Sequence, residues 1–199
     1  MSNKKKIIIS ICTLFLIILL LIYLLDKLRY IDTNIYKFIS ILRCNFLDVF
    51  FKFITQFGGV IFTILFLFLY IIIYREKSKY LLINVVIVVL INILLKNIIK
   101  RTRPVGINLI VENGYSFPSA HSMNSVALYG YLLYFSLKNN LNNIIDYIKI
   151  IVYLILLISI PISRIYLGVH FFSDVFAGIC ISTIWLCFYL HYIEKRSVS

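Results

Sequence analysis

Proline and glycine are scarce, at three and seven in 199 residues. Charged side chains are scarce too, at 14%. Disordered and collagen-like chains need these residues in quantity, so both classes are excluded. The four cysteines, Cys12, Cys44, Cys180 and Cys187, form no Cys-x-x-Cys pair. Their spacing indicates neither a zinc site nor a disulfide framework. Cys12, Cys180 and Cys187 sit inside apolar runs and read as small hydrophobes. Acidic residues number 8 against 20 Lys and Arg, a formal net charge of +12. The basic residues do not gather into a domain of their own. They punctuate apolar runs, where they meet anionic lipid headgroups, and no nucleic-acid partner is expected.

What is abundant is apolar sequence: 62% of residues are hydrophobic and the mean hydropathy is +0.98. A soluble domain is about 45–50% apolar. At this composition it would expose large apolar patches and aggregate. Six segments read as membrane spans, at 7–25, 54–74, 80–99, 121–137, 147–162 and 171–193. Lys4, Lys5 and Lys6 precede the first, as in a signal peptide, but the run is long for one and no small-residue cleavage site follows. Between the first two spans, Ile35, Ile39 and Leu42 recur at helical spacing, with Lys37 and Arg43 off that line. This predicts an amphipathic helix over 32–44, lying at the interface. The expected fold is all-α: a polytopic membrane protein, a bundle of six transmembrane helices, forming one domain over 1–199.

Six spans put both termini on one side. With the amino terminus inside, ten of the 20 Lys and Arg are cytoplasmic. Among the other ten, Lys96, Lys100, Arg101, Arg103 and Arg164 are set aside as candidates for chemistry, leaving ten against five. The positive-inside bias then places both termini in the cytoplasm.

Three polar clusters remain after the flanks are discounted. They are Lys96 to Pro104, Phe117 to Ser122, and Ser163-Arg164 with His170 and Asp174. On the span count all three emerge on one membrane face, the outer one. Lys96 and Arg103 are seven apart, two helical turns, and can share a face. With Arg164 they form a trio of cations suited to a dianionic phosphate, Arg offering bidentate forks. His170 and Asp174 are four apart, so on a helix their side chains meet. A carboxylate beside imidazole fixes the tautomer and makes an activated nucleophile. His121 is a second imidazole, available as acid or base. The same residues have plainer readings: interfacial anchors for the cations, helix caps for Ser119 and His121, and a structural or metal-binding pair for His170 and Asp174. The surrounding cations count against a metal, and Glu112 is the one further loop carboxylate. Lys100 and Arg101 are read as anchors as readily as site residues, and their loss is expected to be mild.

Together the clusters resemble the type 2 phosphatidic acid phosphatase superfamily. Its signature is Lys-x6-Arg-Pro, Pro-Ser-Gly-His and Ser-Arg-x5-His-x3-Asp. Here the residues are Lys96-x6-Arg103-Pro104, Pro118-Ser119-Ala120-His121 and Ser163-Arg164-x5-His170-x3-Asp174, all within 96–174. Order and internal spacing agree, and Ala120 in place of glycine is the one departure. Alanine forbids cheap positive φ, so close backbone approach to a phosphate requires negative φ there. The resemblance implies that His170 attacks phosphorus and forms a phosphohistidine, that Asp174 supports it, and that His121 protonates the leaving oxygen and then activates water. It further implies that Lys96, Arg103 and Arg164 hold the phosphoryl oxygens, with Ser119 and the backbone N–H at Ala120. Neither metal nor cofactor is implied.

The spans argue for a lipid phosphate held in the bilayer. Short length, six spans and an outward site resemble the bacterial polyprenyl-pyrophosphate phosphatases, so undecaprenyl pyrophosphate is the first expected substrate, in recycling of the cell-wall carrier lipid. Phosphatidylglycerol phosphate and phosphatidic acid follow, with a lipid phosphotransferase or a non-catalytic anion-binding membrane protein as alternative classes. The apolar 105–111 loop is read as lining lipid access or as packing on the bundle.

Overall fold

The computed structural model describes residues 1–25, 27–106, 108–139 and 141–196. Ile107, part of the apolar loop, lies outside the described residues. Helix α1 spans Asn3–Leu24 and is capped by Ser2, whose hydroxyl accepts from the Lys5 N–H. The three lysines therefore begin the helix rather than precede it. Next come α2 (Leu28–Ser40), α3 (Asn45–Gln56) and α4 (Val60–Tyr74), then α5 (Ser78–Ile99) after a single 3-10 turn. The described residues of 100–119 carry no helix. Helix α6 (Ala120–Ser125), a π-helical turn at Val126–Gly130 and α7 (Tyr131–Lys138) form one uninterrupted run. Helices α8 (Ile144–Tyr166) and α9 (Phe172–Arg196) complete the bundle.

Four helices, α1, α5, α8 and α9, are long and apolar enough to cross a membrane, or five if α3 and α4 are taken as one broken span. The remaining expected span, 121–137, is not among them. The 121–137 segment is helical throughout, and the π turn divides it into pieces of 6, 5 and 8 residues. The expected span at 54–74 is broken as well, because α3 and α4 meet at a 50° bend over Gly58-Gly59. The amphipathic helix begins earlier than 32 and ends at Ser40.

Packing explains the irregular places. A π turn leaves a carbonyl without its usual i+4 partner. Asn84, fully buried on α5, donates to the Ala127 carbonyl at 2.7 Å and accepts from Trp185 Nε1 at 2.9 Å. The α3–α4 break exposes two more carbonyls. Tyr129 Oη donates to Phe57 O at 2.8 Å and Asn124 Nδ2 to Gly58 O at 3.1 Å. Non-helical backbone inside an apolar bundle requires such partners. The core is built where α5, the α6–α7 run, α8 and α9 meet, around Leu81, Val88, Met123, Leu128 and Ile160. Apolar side chains on α1 and α4 stand outward, Ile61 at 77% exposure, as a lipid-facing surface requires.

Gly58 lets the bend approach the rest of the bundle. A Cβ built there would lie 2.6 Å from Ile160 Cγ2 and 3.2 Å from His121 Cδ2. Ile160 is β-branched and stiff. Gly58→Ala is expected to cost about 1–3 kcal/mol through overpacking, seen as a lower Tm of the detergent-solubilised protein. An unchanged Tm would show that the bend has slack.

Candidate active site

The third motif takes its spacing from how α8 ends. Arg164 lies in the last turn, its side chain fully buried. Gly168 has φ +71°, a left-handed position that stops the helix, and its N–H donates to Ile165 O at 3.0 Å. The chain then folds back so that the His170 N–H donates to Arg164 O at 3.2 Å. Asp174 stands in the first turn of α9. Its Oδ2 accepts from the Phe171 N–H at 2.9 Å and from the Ser116 hydroxyl, and lies 3.5 Å from His170 Nδ1. The expected imidazole–carboxylate pair thus meets. Its geometry leaves Nδ1 on the Asp174 and Ser116 side and Nε2 facing Arg103 Nη1 at 3.0 Å.

The expected cations gather around this pair. Arg103 donates to the carbonyls of Val169 (2.9 Å), Gly114 (3.0 Å) and Asn113 (3.1 Å). Lys96, near the end of α5, donates to Tyr115 O at 2.7 Å. Arg164 donates to Thr55 Oγ1 at 2.7 Å and to Glu112, while its Nε is buried without a hydrogen-bond partner among the described residues. Glu112 is also 3.9 Å from Arg103. One carboxylate thus lies between two of the three cations. In the second motif, Ser119 caps α6 and accepts from the Ser122 N–H and hydroxyl. Ala120 is the first helical residue and is absent from the positive-φ positions, so alanine is tolerated there. His121 lies within Coulombic reach of Arg164, His170, Arg103 and Lys96.

Three further residues join the site. Arg101, read from the sequence as anchor or site residue alike, is a partly buried ion-pair partner. Its Nη1 donates to Asp174 Oδ1 at 2.6 Å and Ser173 Oγ at 2.7 Å, and its Nη2 to Asp32 Oδ2 at 2.7 Å. Asp32, 1% exposed on α2, also accepts from Ser173 N–H at 2.9 Å. Ser116 completes the Asp174 shell. Asp32 carried a signal: it falls on the apolar line of Leu28, Ile35 and Ile39, where an unpaired acid would be costly. Arg101 and Ser116 lie outside helices, where periodicity says nothing. Lys100 makes no such contact among the described residues and has φ +51°. In the 105–111 loop, Leu109 and Ile110 pack against Tyr166, Leu167 and Val169, whereas Val105 and Val111 stand exposed. No group of three or more His, Cys, Asp or Glu gathers among the described residues.

Residues 77–197 match the PAP2 superfamily. The chain belongs to this superfamily. Among curated relatives, phosphatidylglycerophosphatase B of Bacillus subtilis is 41% identical over 92 residues, 45% of this chain and 44% of that protein. Lipid phosphate phosphatase delta of Arabidopsis thaliana is 34% identical over 83 residues, 41% of this chain and 20% of that protein. The chain thus spans less than half the length of these relatives. Among solved structures, the PAP2-type phosphatidylglycerolphosphate phosphatase of Bacillus subtilis matches with TM-score 0.81 and 27% identity, over 94% of this chain and 96% of that one. LpxE of Aquifex aeolicus matches with TM-score 0.64 and 26% identity, over 80% and 94%.

Within the PAP2 motifs, burial pushes the His170 imidazole down to about 4, with Arg164 and Arg103 adding to the effect and Asp174 opposing it. Burial also opposes ionisation of Glu112, but Arg164 and Arg103 outweigh it and hold that carboxyl below its ordinary value. His170 is therefore neutral at pH 7. Its folded pKa lies below the unfolded value, so the unfolded chain takes up more protons between pH 6.5 and about 4, and stability falls as pH drops through that window. The wild-type Tm should fall more than that of His170→Gln between pH 7 and pH 4.5; equal falls would place the imidazole pKa near 6.5. Asp32→Asn and Arg101→Ala should each lower kcat by roughly tenfold or more, since each breaks a buried charged pair beside Asp174. Near-normal kcat in both would return Arg101 to the role of anchor.

Proposed function

We propose that this chain is a metal-independent integral-membrane lipid phosphatase, and that its preferred substrate is phosphatidylglycerol phosphate. The observation that carries the reaction is the placement of the His170 ring, with Nδ1 toward Asp174 and Ser116 and Nε2 toward Arg103. A ring held in this way presents Nε2 as the nucleophile. The substrate preference is supported by the two Bacillus subtilis relatives, both named for phosphatidylglycerophosphate. Undecaprenyl pyrophosphate, the first expectation, has no such support and becomes the second candidate.

His170 Nε2 attacks phosphorus, the P–O bond to the glycerol breaks, and His121 supplies the proton to the leaving oxygen. Water then attacks the phosphohistidine, His121 takes its proton, and the N–P bond breaks to release inorganic phosphate. Lys96, Arg103 and Arg164 stabilise the charge on the equatorial oxygens. The Ser119 hydroxyl already accepts from Ser122, so its own proton is free to donate beside the Ala120 N–H. The Glu112 carboxylate stands between Arg164 and Arg103, and the phosphoryl group takes its place there.

The same reading makes the chain one domain, with the α6–α7 run as a sixth crossing. Lys5 and Glu194 are 2.5 Å apart, so both termini share one end of the bundle. Twenty residues of α9 separate Glu194 from Asp174, about 30 Å of helix at 1.5 Å per residue. With the termini cytoplasmic, the site faces outward.

Phosphate release by purified protein in detergent with excess EDTA tests the reading, on phosphatidylglycerol phosphate, phosphatidic acid and undecaprenyl pyrophosphate. Turnover is expected to survive EDTA, to favour phosphatidylglycerol phosphate, and to fall by three orders of magnitude or more in His170→Ala, roughly the loss seen when a catalytic triad member is removed. Turnover lost with EDTA, or kept in the variant, would overturn the mechanism.

A further inference from the structure

A cavity of about 730 Å³ opens between α2 and the 101–105 segment. Arg103 and His170 line it from the motif side, and Arg29, Thr33 and Lys37 line it from α2. Basic residues on an interfacial helix ordinarily reach outward to lipid headgroups. Here the rotation of α2 is held by a buried clamp. Asp32 accepts from Arg101 Nη2 and Ser173 Oγ, each at 2.7 Å, and from the Ser173 N–H at 2.9 Å. Arg29, Thr33 and Lys37 are spaced four apart and so form one stripe beside Asp32. The clamp therefore aims that stripe at the cavity containing the nucleophile.

Among the described residues the charge in the cavity is unbalanced. Asp32 is spent on Arg101, whereas neither Arg29 nor Lys37 makes a side-chain hydrogen bond or ion pair among the described residues. The transferred phosphoryl group already has Lys96, Arg103 and Arg164. Two further cations beside the same nucleophile match a second anion on the part of the substrate that leaves.

We propose that this cavity is a second anion subsite, in which Arg29 and Lys37 bind a phosphate carried by the leaving group, and that it selects lipids with two phosphates over lipids with one. The inference rests on the phosphatase reading above and specifies its substrate class. In phosphatidylglycerol phosphate the second anion is the phosphodiester, three carbons from the scissile phosphate. Phosphatidic acid has no second phosphate.

The test compares wild type with the Arg29→Gln/Lys37→Gln double variant on both lipids in mixed micelles. The ratio of kcat/KM for phosphatidylglycerol phosphate over phosphatidic acid should fall roughly 10- to 100-fold, chiefly through KM, as expected for lost charged hydrogen bonds. Arg29→Lys/Lys37→Arg, which keeps both charges, should retain most of the ratio. Equal losses on both lipids would mark the pair as general membrane anchors and overturn the subsite, as would no change on either. A second arm needs no turnover: propane-1,3-bisphosphonate should raise the wild-type Tm more than methylphosphonate at equal concentration, and the double variant should lose the difference. If wild type hydrolyses neither lipid, the phosphatase reading fails, and the bisphosphonate arm decides the subsite by itself.

Discussion

The Asp174 carboxylate, fully buried, is the point on which the site is assembled. Its Oδ1 takes Arg101, its Oδ2 takes Ser116 and the Phe171 N–H beside His170, and its backbone carbonyl takes the Ser119 N–H at 3.0 Å. A buried carboxylate short of partners costs several kcal/mol. The carboxylate gathers Arg101 of the first motif and the loop before the second onto the third, and the Asp174 backbone carbonyl holds the second motif through Ser119. Arg101 then passes the constraint to Asp32 and anchors α2.

The three cations of the motifs are held in place before an anion arrives. Arg164 and Arg103 share Glu112, and Arg103 and Lys96 rest on backbone carbonyls. Cations held in this way are oriented before any ligand arrives, and little reorganisation is then needed as charge develops. The same cations, added to burial, keep His170 unprotonated.

The helices supply rigidity, and their interruptions supply the site. Gly168 ends α8 so that His170 turns back over Arg164. The Gly58-Gly59 bend brings backbone against His121, and the π turn is stabilised by Asn84. Each interruption frees backbone polar groups, and each is met by a buried side chain. Such interruptions leave little trace in hydropathy, which is why 54–74 reads as one span while the chain bends 50° within it.

Apolar content and run length were enough to determine a helical membrane protein, because a lipid environment leaves few other ways to satisfy backbone hydrogen bonds. The spacing of Lys96, Arg103, His121, Arg164, His170 and Asp174 was legible because each motif is local, within one helical end or turn. The partners of Arg101, Asp32, Ser116 and Glu112 were not, since each acts through a residue distant in sequence: Asp32 is 69 residues from Arg101 and Glu112 is 52 from Arg164. The broken spans and the cavity beside α2 were likewise decided by packing. Local sequence determines which helices form and which chemistry they carry, whereas the requirement that every buried charge find an opposite one is met only when distant segments fold together.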